Sequence, residues 1–94
     1  MMSSARLSHV SGRDLVRQGA LLLDVRTPDE FAQAHVPGAI NIPVQELAHR
    51  MGELGPKSRK VVVYCRSGGR SATATVLMQR AGYEVLDIGP MTAF

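Results

Sequence analysis

The sequence holds a single cysteine, and its neighbours could do chemistry: Cys65-Arg66-Ser67-Gly68-Gly69-Arg70-Ser71. Gly68 and Gly69 free the backbone to take positive φ and turn successive N–H groups inward. Consecutive inward N–H groups make an anion-binding nest. A helix beginning near Arg70 or Ser71 would aim its free N–H groups and the positive end of its dipole at the same point. Arg66 and Arg70 add two guanidinium charges. All of these favour thiolate over thiol, so the Cys65 pKa is expected below the free-thiol value of about 8.5. An isolated cysteine after a strand is more often a buried structural residue, but Arg, Ser and Gly neighbours make a poor apolar setting. Cys65 therefore reads as a nucleophile, with Arg66, Ser67, Gly68, Gly69, Arg70 and Ser71 as a binding ring for an anionic substrate.

The elements that must hold this loop follow from patterning. Val61 to Tyr64 is β-branched and apolar, a strand that would leave Cys65 at a sheet edge facing solvent or a pocket. Ser71 to Ala81 has Ala72, Val76, Leu77 and Arg80 at helical spacing, ended by Gly82. Upstream, Ser11 is a hydroxyl N-cap with Asp14 three residues later, and Gly19 stops that helix. Leu21 to Val25 is short and continuously apolar but for one acid, a buried strand. Thr27-Pro28-Asp29-Glu30 starts the next helix, and His35-Val36-Pro37-Gly38 breaks it before a short strand from Ala39 to Pro43. Val44, Leu47, Ala48, Met51 and Leu54 form one face of an expected amphipathic helix closed by Gly55-Pro56. Tyr83 to Ile88 reads as the last strand, with Gly89-Pro90 turning into a stub from Met91 to Phe94. Strands alternating with helices imply an α/β domain with a mainly parallel sheet covered on both faces. Such sheets bind ligands beyond the carboxyl ends of their strands, where the cysteine loop lies.

Composition closes off other classes. The chain has 94 residues, enough for one domain spanning 1–94, and 45% hydrophobic residues set it apart from disordered chains. Lys and Arg exceed Asp and Glu by 11 to 8, and this small, scattered excess without interleaved aromatics argues against nucleic acid. No apolar run reaches the roughly 18–20 residues of a membrane span. Met1 to His9 lacks a signal-peptide core, so a cytoplasmic protein is expected. A lone cysteine excludes an intrachain disulfide and a Cys-rich zinc site. Met1, Met2, Met51, Met78 and Met91 share no metal-ligand spacing, so no metal is expected. Asp24 and Arg26, one residue apart, should point to the same side; an internal ion pair is favoured over a contribution of Arg26 to the field at the thiolate. His35 reads as a hydrogen-bonded structural residue, and His9 and His49 have no identifiable partner.

The loop resembles the active-site loop of single-domain rhodaneses, the sulfurtransferases. Leu22-Leu23-Asp24-Val25-Arg26-Thr27-Pro28-Asp29-Glu30-Phe31 and His35-Val36-Pro37-Gly38-Ala39-Ile40-Asn41-Ile42-Pro43 resemble the two upstream signatures of that family, in order. The resemblance implies a five-stranded, mainly parallel sheet flanked by helices and a persulfide on Cys65. It implies thiosulfate or a similar sulfane-sulfur donor, cyanide or a thiol as acceptor, a sulfur-accepting protein as a further partner, and no cofactor. Two other readings stay open, a sulfur-delivery module and a non-catalytic interaction domain, although relatives of the last kind commonly lack the cysteine. Phosphatases of related fold separate cysteine and arginine by five residues and usually carry His before the cysteine; here four residues separate Cys65 from Arg70, and Tyr64 precedes the cysteine. Near the C-terminus, Gly89-Pro90 departs from the usual Gly-Gly, and Pro90 removes a backbone donor. A monomer or weak dimer is expected, with an exposed Cys65 linking molecules by disulfide under oxidising conditions.

Overall fold

The computed structural model describes residues 11–94. The readings of Met1, Met2, His9 and the leaderless start fall outside them. Helix α1 (Gly12–Arg17) begins at Ser11, whose side chain accepts the Asp14 N–H at 3.0 Å. Strand β1 (Leu21–Asp24) leads into helix α2 (Pro28–Gln33), which carries a full capping box between Thr27 and Glu30. Strand β2 (Ile40–Asn41), strand β3 (Val61–Cys65), helix α3 (Gly69–Arg80) and strand β4 (Val85–Pro90) complete the regular elements. The strands form one parallel sheet in the order β2-β1-β3-β4. Among the described residues it has four strands, not the five implied by resemblance, because only four apolar segments of that stretch are extended.

All four residues of β1 and all five of β3 are buried, as expected of strands covered on both faces. Leu21, Leu23, Val61, Val63 and Cys65 face one half-core with Leu47, Leu54, Ala74 and Met78. Leu22, Val62 and Tyr64 face the other, with Leu15, Ile88, Met91 and Phe94 packed against them. No helix among the described residues is long and apolar enough to cross a membrane.

Several boundaries differ from the patterning; β1 and β2 are shorter than expected and β3 runs one residue longer, to Cys65. The expected helix from Val44 to Leu54 is two 3-10 segments, Val44–His49 and Met51–Leu54, with Arg50 between them at φ −116°. Its apolar pairs Val44/Leu47 and Met51/Leu54 are three residues apart, the period of a 3-10 turn, and Pro43 supplies no side-chain cap. Arg50 holds the break, bonding Glu46 and Glu53 at 2.8 Å each. The last strand runs Val85–Pro90 rather than Tyr83 to Ile88: Tyr83 leaves the sheet to donate its hydroxyl to Gly55 O at 2.7 Å. Beyond a bulge at Val63/Tyr64, Gly89 pairs with Tyr64 and Pro90 with Cys65. Pro90 is tolerated because β4 is an edge strand among the described residues. Finally, α3 begins at Gly69, two residues before the expected Ser71.

Candidate active site

The strand order sets the site. The β1–α2–β2 connection moves to one side of the sheet and β3–α3–β4 to the other, so the carboxyl ends of β1 and β3 flank the topological switch point. Asp24 ends β1 and Cys65 ends β3. Gly68, at φ 105°, turns the chain from the loop into α3, a left-handed conformation that glycine adopts without a Cβ clash.

The turn folds the loop over the sulfur. Gly68 N–H donates to Cys65 Sγ at 2.9 Å, and the Ser71 hydroxyl oxygen lies 3.4 Å from Sγ. Burial pushes the thiol pKa up, but the Ser71 hydroxyl and the N–H groups of Ser71, Gly68 and Ser67 outweigh it, leaving the pKa below the ordinary thiol value. One expectation is corrected. Cys65 ends an interior strand and is 0% exposed, so it is not a surface thiol poised to link molecules. The Arg70 guanidinium, paired with Glu30, also interacts with Cys65 through its charge.

Arg70 turns away to Glu30, donating from Nη1 to Oε1 at 2.6 Å and from Nη2 to Oε2 at 3.1 Å. Arg66 is exposed and has no carboxylate partner among the described residues. Ser67 and Gly69 are also exposed, whereas Ser71 is buried; with the thiol protonated its hydroxyl donates to Gly68 O at 3.2 Å, and with the thiolate formed that O–H can turn to Sγ instead. Six loop residues thus share the turn; Ser67, Gly68 and Ser71 hydrogen-bond the sulfur, and Arg70 acts on it through its charge.

Asp24 and Arg26 form a buried ion pair. Arg26 Nη2 donates to Oδ2 at 2.7 Å and Nε to Oδ1 at 3.0 Å; Nη2 also donates to Ala34 O at 2.7 Å. The Arg26 guanidinium lies 5.6 Å from the centre of the Tyr64 ring. The Tyr64 hydroxyl accepts the Val36 N–H at 3.1 Å, and burial pushes its pKa up to about 12. His35 stacks on Phe31 at 3.7 Å and bonds Phe31 O at 2.8 Å, a structural position.

Glu30 and Asn41 are the residues that sequence reasoning missed. Asn41 Nδ2 donates to both Asp24 O and Arg26 O at 3.0 Å, tying β2 to the turn after β1. Glu30 is legible as a helix-start acid, but its bond to Arg70 spans 40 residues and carries no local signal. The Arg70 guanidinium and the Thr27 N–H hold the Glu30 carboxyl down at about 2. Beside the loop lies a cleft of about 270 Å³ whose wall includes Arg26, Glu30, Arg66, Met91 and Thr92.

Residues 10–89 match the family described as rhodanese-like domain. This chain belongs to that family. A sulfurtransferase of Allochromatium vinosum is 46% identical over 66 residues, covering 70% of this chain and 61% of that protein. A thiosulfate sulfurtransferase of Escherichia coli is 42% identical over 62 residues, covering 65% of this chain and 60% of that protein. The rhodanese-like chain therefore spans about three fifths of the length of both relatives. A solved structure described as a rhodanese with anions from E. coli superposes with a TM-score of 0.76 at 35% identity, covering 81% of this chain and 92% of that one. The rhodanese fold is thus shared.

Proposed function

We propose that this rhodanese-like chain is a sulfurtransferase that carries sulfane sulfur as a persulfide on Cys65. The observation that carries the reading is the thiol itself: a buried Sγ at the start of a 12-residue helix, bonded by Gly68 N–H at 2.9 Å and held below the ordinary thiol pKa. A thiolate already ionised needs no general base. It attacks the outer sulfur of a donor such as thiosulfate; the S–S bond breaks, sulfite leaves with the bonding pair, and Cys65 holds the persulfide. Cyanide or a thiolate then attacks the outer sulfur, giving thiocyanate or a new persulfide and returning the Cys65 thiolate. The names of the sulfurtransferase relatives support sulfur transfer, and thiosulfate as the donor belongs to this proposal. Four residues between Cys65 and Arg70 make a short ring, suited to one terminal sulfur rather than a tetrahedral phosphate. These 94 residues hold no second cysteine, so the acceptor thiol lies outside them.

Intact-mass spectrometry before and after thiosulfate tests this. The expected result is a gain of one sulfur, reversed by cyanide and missing in Cys65→Ser. No gain from thiosulfate, with a gain from a protein persulfide, would favour the delivery reading. Sulfur uptake by Cys65→Ser would sink the mechanism.

A further inference from the structure

The ion pair between Arg70 and Glu30 is closed on both sides. Arg70 Nη1 donates to Glu30 Oε1 at 2.6 Å and Nη2 to Oε2 at 3.1 Å, so the guanidinium engages both carboxylate oxygens. The carboxylate is itself fixed, because the Thr27 N–H donates to Oε1 at 2.9 Å within the capping box of α2. Arg70 is the second residue of α3, and Ser71, which bonds the sulfur, follows it directly. The charge of Arg70 reaches Cys65, yet among the described residues Sγ takes its hydrogen bonds from the loop and Ser71, not from a guanidinium. The other charges on the neighbouring elements are paired or face solvent. Asp24 and Arg26 meet at 2.7 Å at the end of β1, Asp87 of β4 accepts the Gly89 N–H at 2.9 Å, and Arg66 of the loop is exposed.

A cation beside a thiolate stabilises it, and the more the anion is stabilised, the weaker a nucleophile it becomes. An unpaired guanidinium at Arg70 would ionise the thiol further and blunt its attack. Glu30 cancels that charge. We propose that Glu30 is a positioning residue for sulfur transfer: it holds the Arg70 guanidinium in a closed pair, so that dipoles rather than a free cation hold the sulfur anion, which stays nucleophilic. The proposal rests on the sulfurtransferase reading above and assigns the residue that sets the reactivity of the same thiol.

Alkylation of Cys65 by iodoacetamide, followed by intact mass across pH, reads the field at the sulfur with a neutral reagent. The thiolate forms a C–S bond and iodide leaves with the electron pair of the C–I bond. The midpoint of the profile reports how readily the thiol ionises, and the alkaline plateau reports how nucleophilic the thiolate is. Glu30→Gln removes the charge but keeps an oxygen for the capping box, which accepts Glu or Gln at this position. Its midpoint should fall by about 0.5–1 pH unit, less than for a charge in direct contact. Its plateau rate should fall about three-fold for each unit of that shift. Arg70→Gln leaves Glu30 unpaired and should move both quantities upward. Arg70→Lys restores the charge without the two-pronged bond and should return the midpoint toward wild type. Glu30→Gln and Arg70→Gln combined remove both charges, and that double variant should lie near wild type.

Opposite shifts in the two single variants are the signature of charge. A purely mechanical brace between the starts of α2 and α3, broken from either end, would shift both midpoints upward, because a looser turn donates less to the sulfur. Shifts of the same sign, or a Glu30→Gln midpoint at or above that of wild type, would overturn the proposal. Where Arg70→Gln does not fold, the Glu30→Gln midpoint decides alone. A wild-type protein that gains no sulfur from thiosulfate or from a protein persulfide would overturn the sulfurtransferase reading, while the alkylation midpoints still decide whether Glu30 sets the reactivity of the thiol.

Discussion

Ser71 carries more of the thiolate's stabilisation than either arginine of the loop. Its side chain and N–H both act on Cys65 against the cost of burial, while Arg70 is committed to Glu30. Removing the hydroxyl in Ser71→Ala should raise the Cys65 pKa. A raised thiol pKa means less thiolate at neutral pH, so sulfur uptake should slow at pH 7. The difference from wild type should close at alkaline pH, where both forms are ionised. A pH profile of uptake or alkylation checks this, and an unchanged midpoint would show that the backbone N–H groups suffice. Asp24 and Arg26 belong to the same scale but to a different role. Their pair is buried, and Arg26 also bonds Ala34 O at the C-terminal end of α2, the helix that carries Glu30.

The helices are short, and packing rather than intrinsic propensity sustains them. Helix α1 has six residues and sits against the sheet through Gly12, which is buried. A Cβ at Gly12 would come within 2.9 Å of Val62 Cγ1 and 3.1 Å of Ile88 Cγ2. Gly12→Ala improves helix propensity, yet it should destabilise the fold by about 1–3 kcal/mol through overpacking. Urea unfolding measures this, and a stabilised variant would mean that α1 shifts freely on the sheet. The 3-10 segments show the same priority of packing over pattern. Leu47 and Leu54 reach the core on three-residue periodicity, and Arg50 clamps the break between the segments through Glu46 and Glu53.

Across the whole molecule, the Glu30–Arg70 pair joins the element that follows β1 to the helix that follows β3, over the switch point where the site lies. That link titrates. Glu30 is held at about 2 against an ordinary value of 4.5, so its contribution to stability is complete above about 4.5 and is lost as pH falls through about 2. Glu30→Gln should therefore unfold at lower urea than wild type at pH 7. The gap should begin to narrow below pH 4.5 and close as pH falls through about 2. A gap that stayed constant down to that pH would mean that the pair contributes nothing through its charge.

The sequence by itself determined the alternation of strands and helices, the four apolar extended segments, the capped helix starts at Ser11 and Thr27, and the cysteine loop as the chemical centre. These are local: they depend on periodicity, on cap chemistry a few residues away and on glycine's freedom at positive φ. The ion pair of Asp24 and Arg26 was legible for the same reason, since one residue separates them. Only the tertiary structure decided that Cys65 lies fully buried in an interior strand, because strand order is not written in any segment of the chain. It alone decided that Arg70 serves Glu30 and leaves Arg66 as the unmatched loop cation, a choice between partners 40 residues apart. It also carried β4 past Gly89 to Pro90, since the bulge that permits the pairing with Cys65 forms only against β3. The nucleophile is a property of residue types in sequence; the field around it is a property of which distant charges the fold brings together.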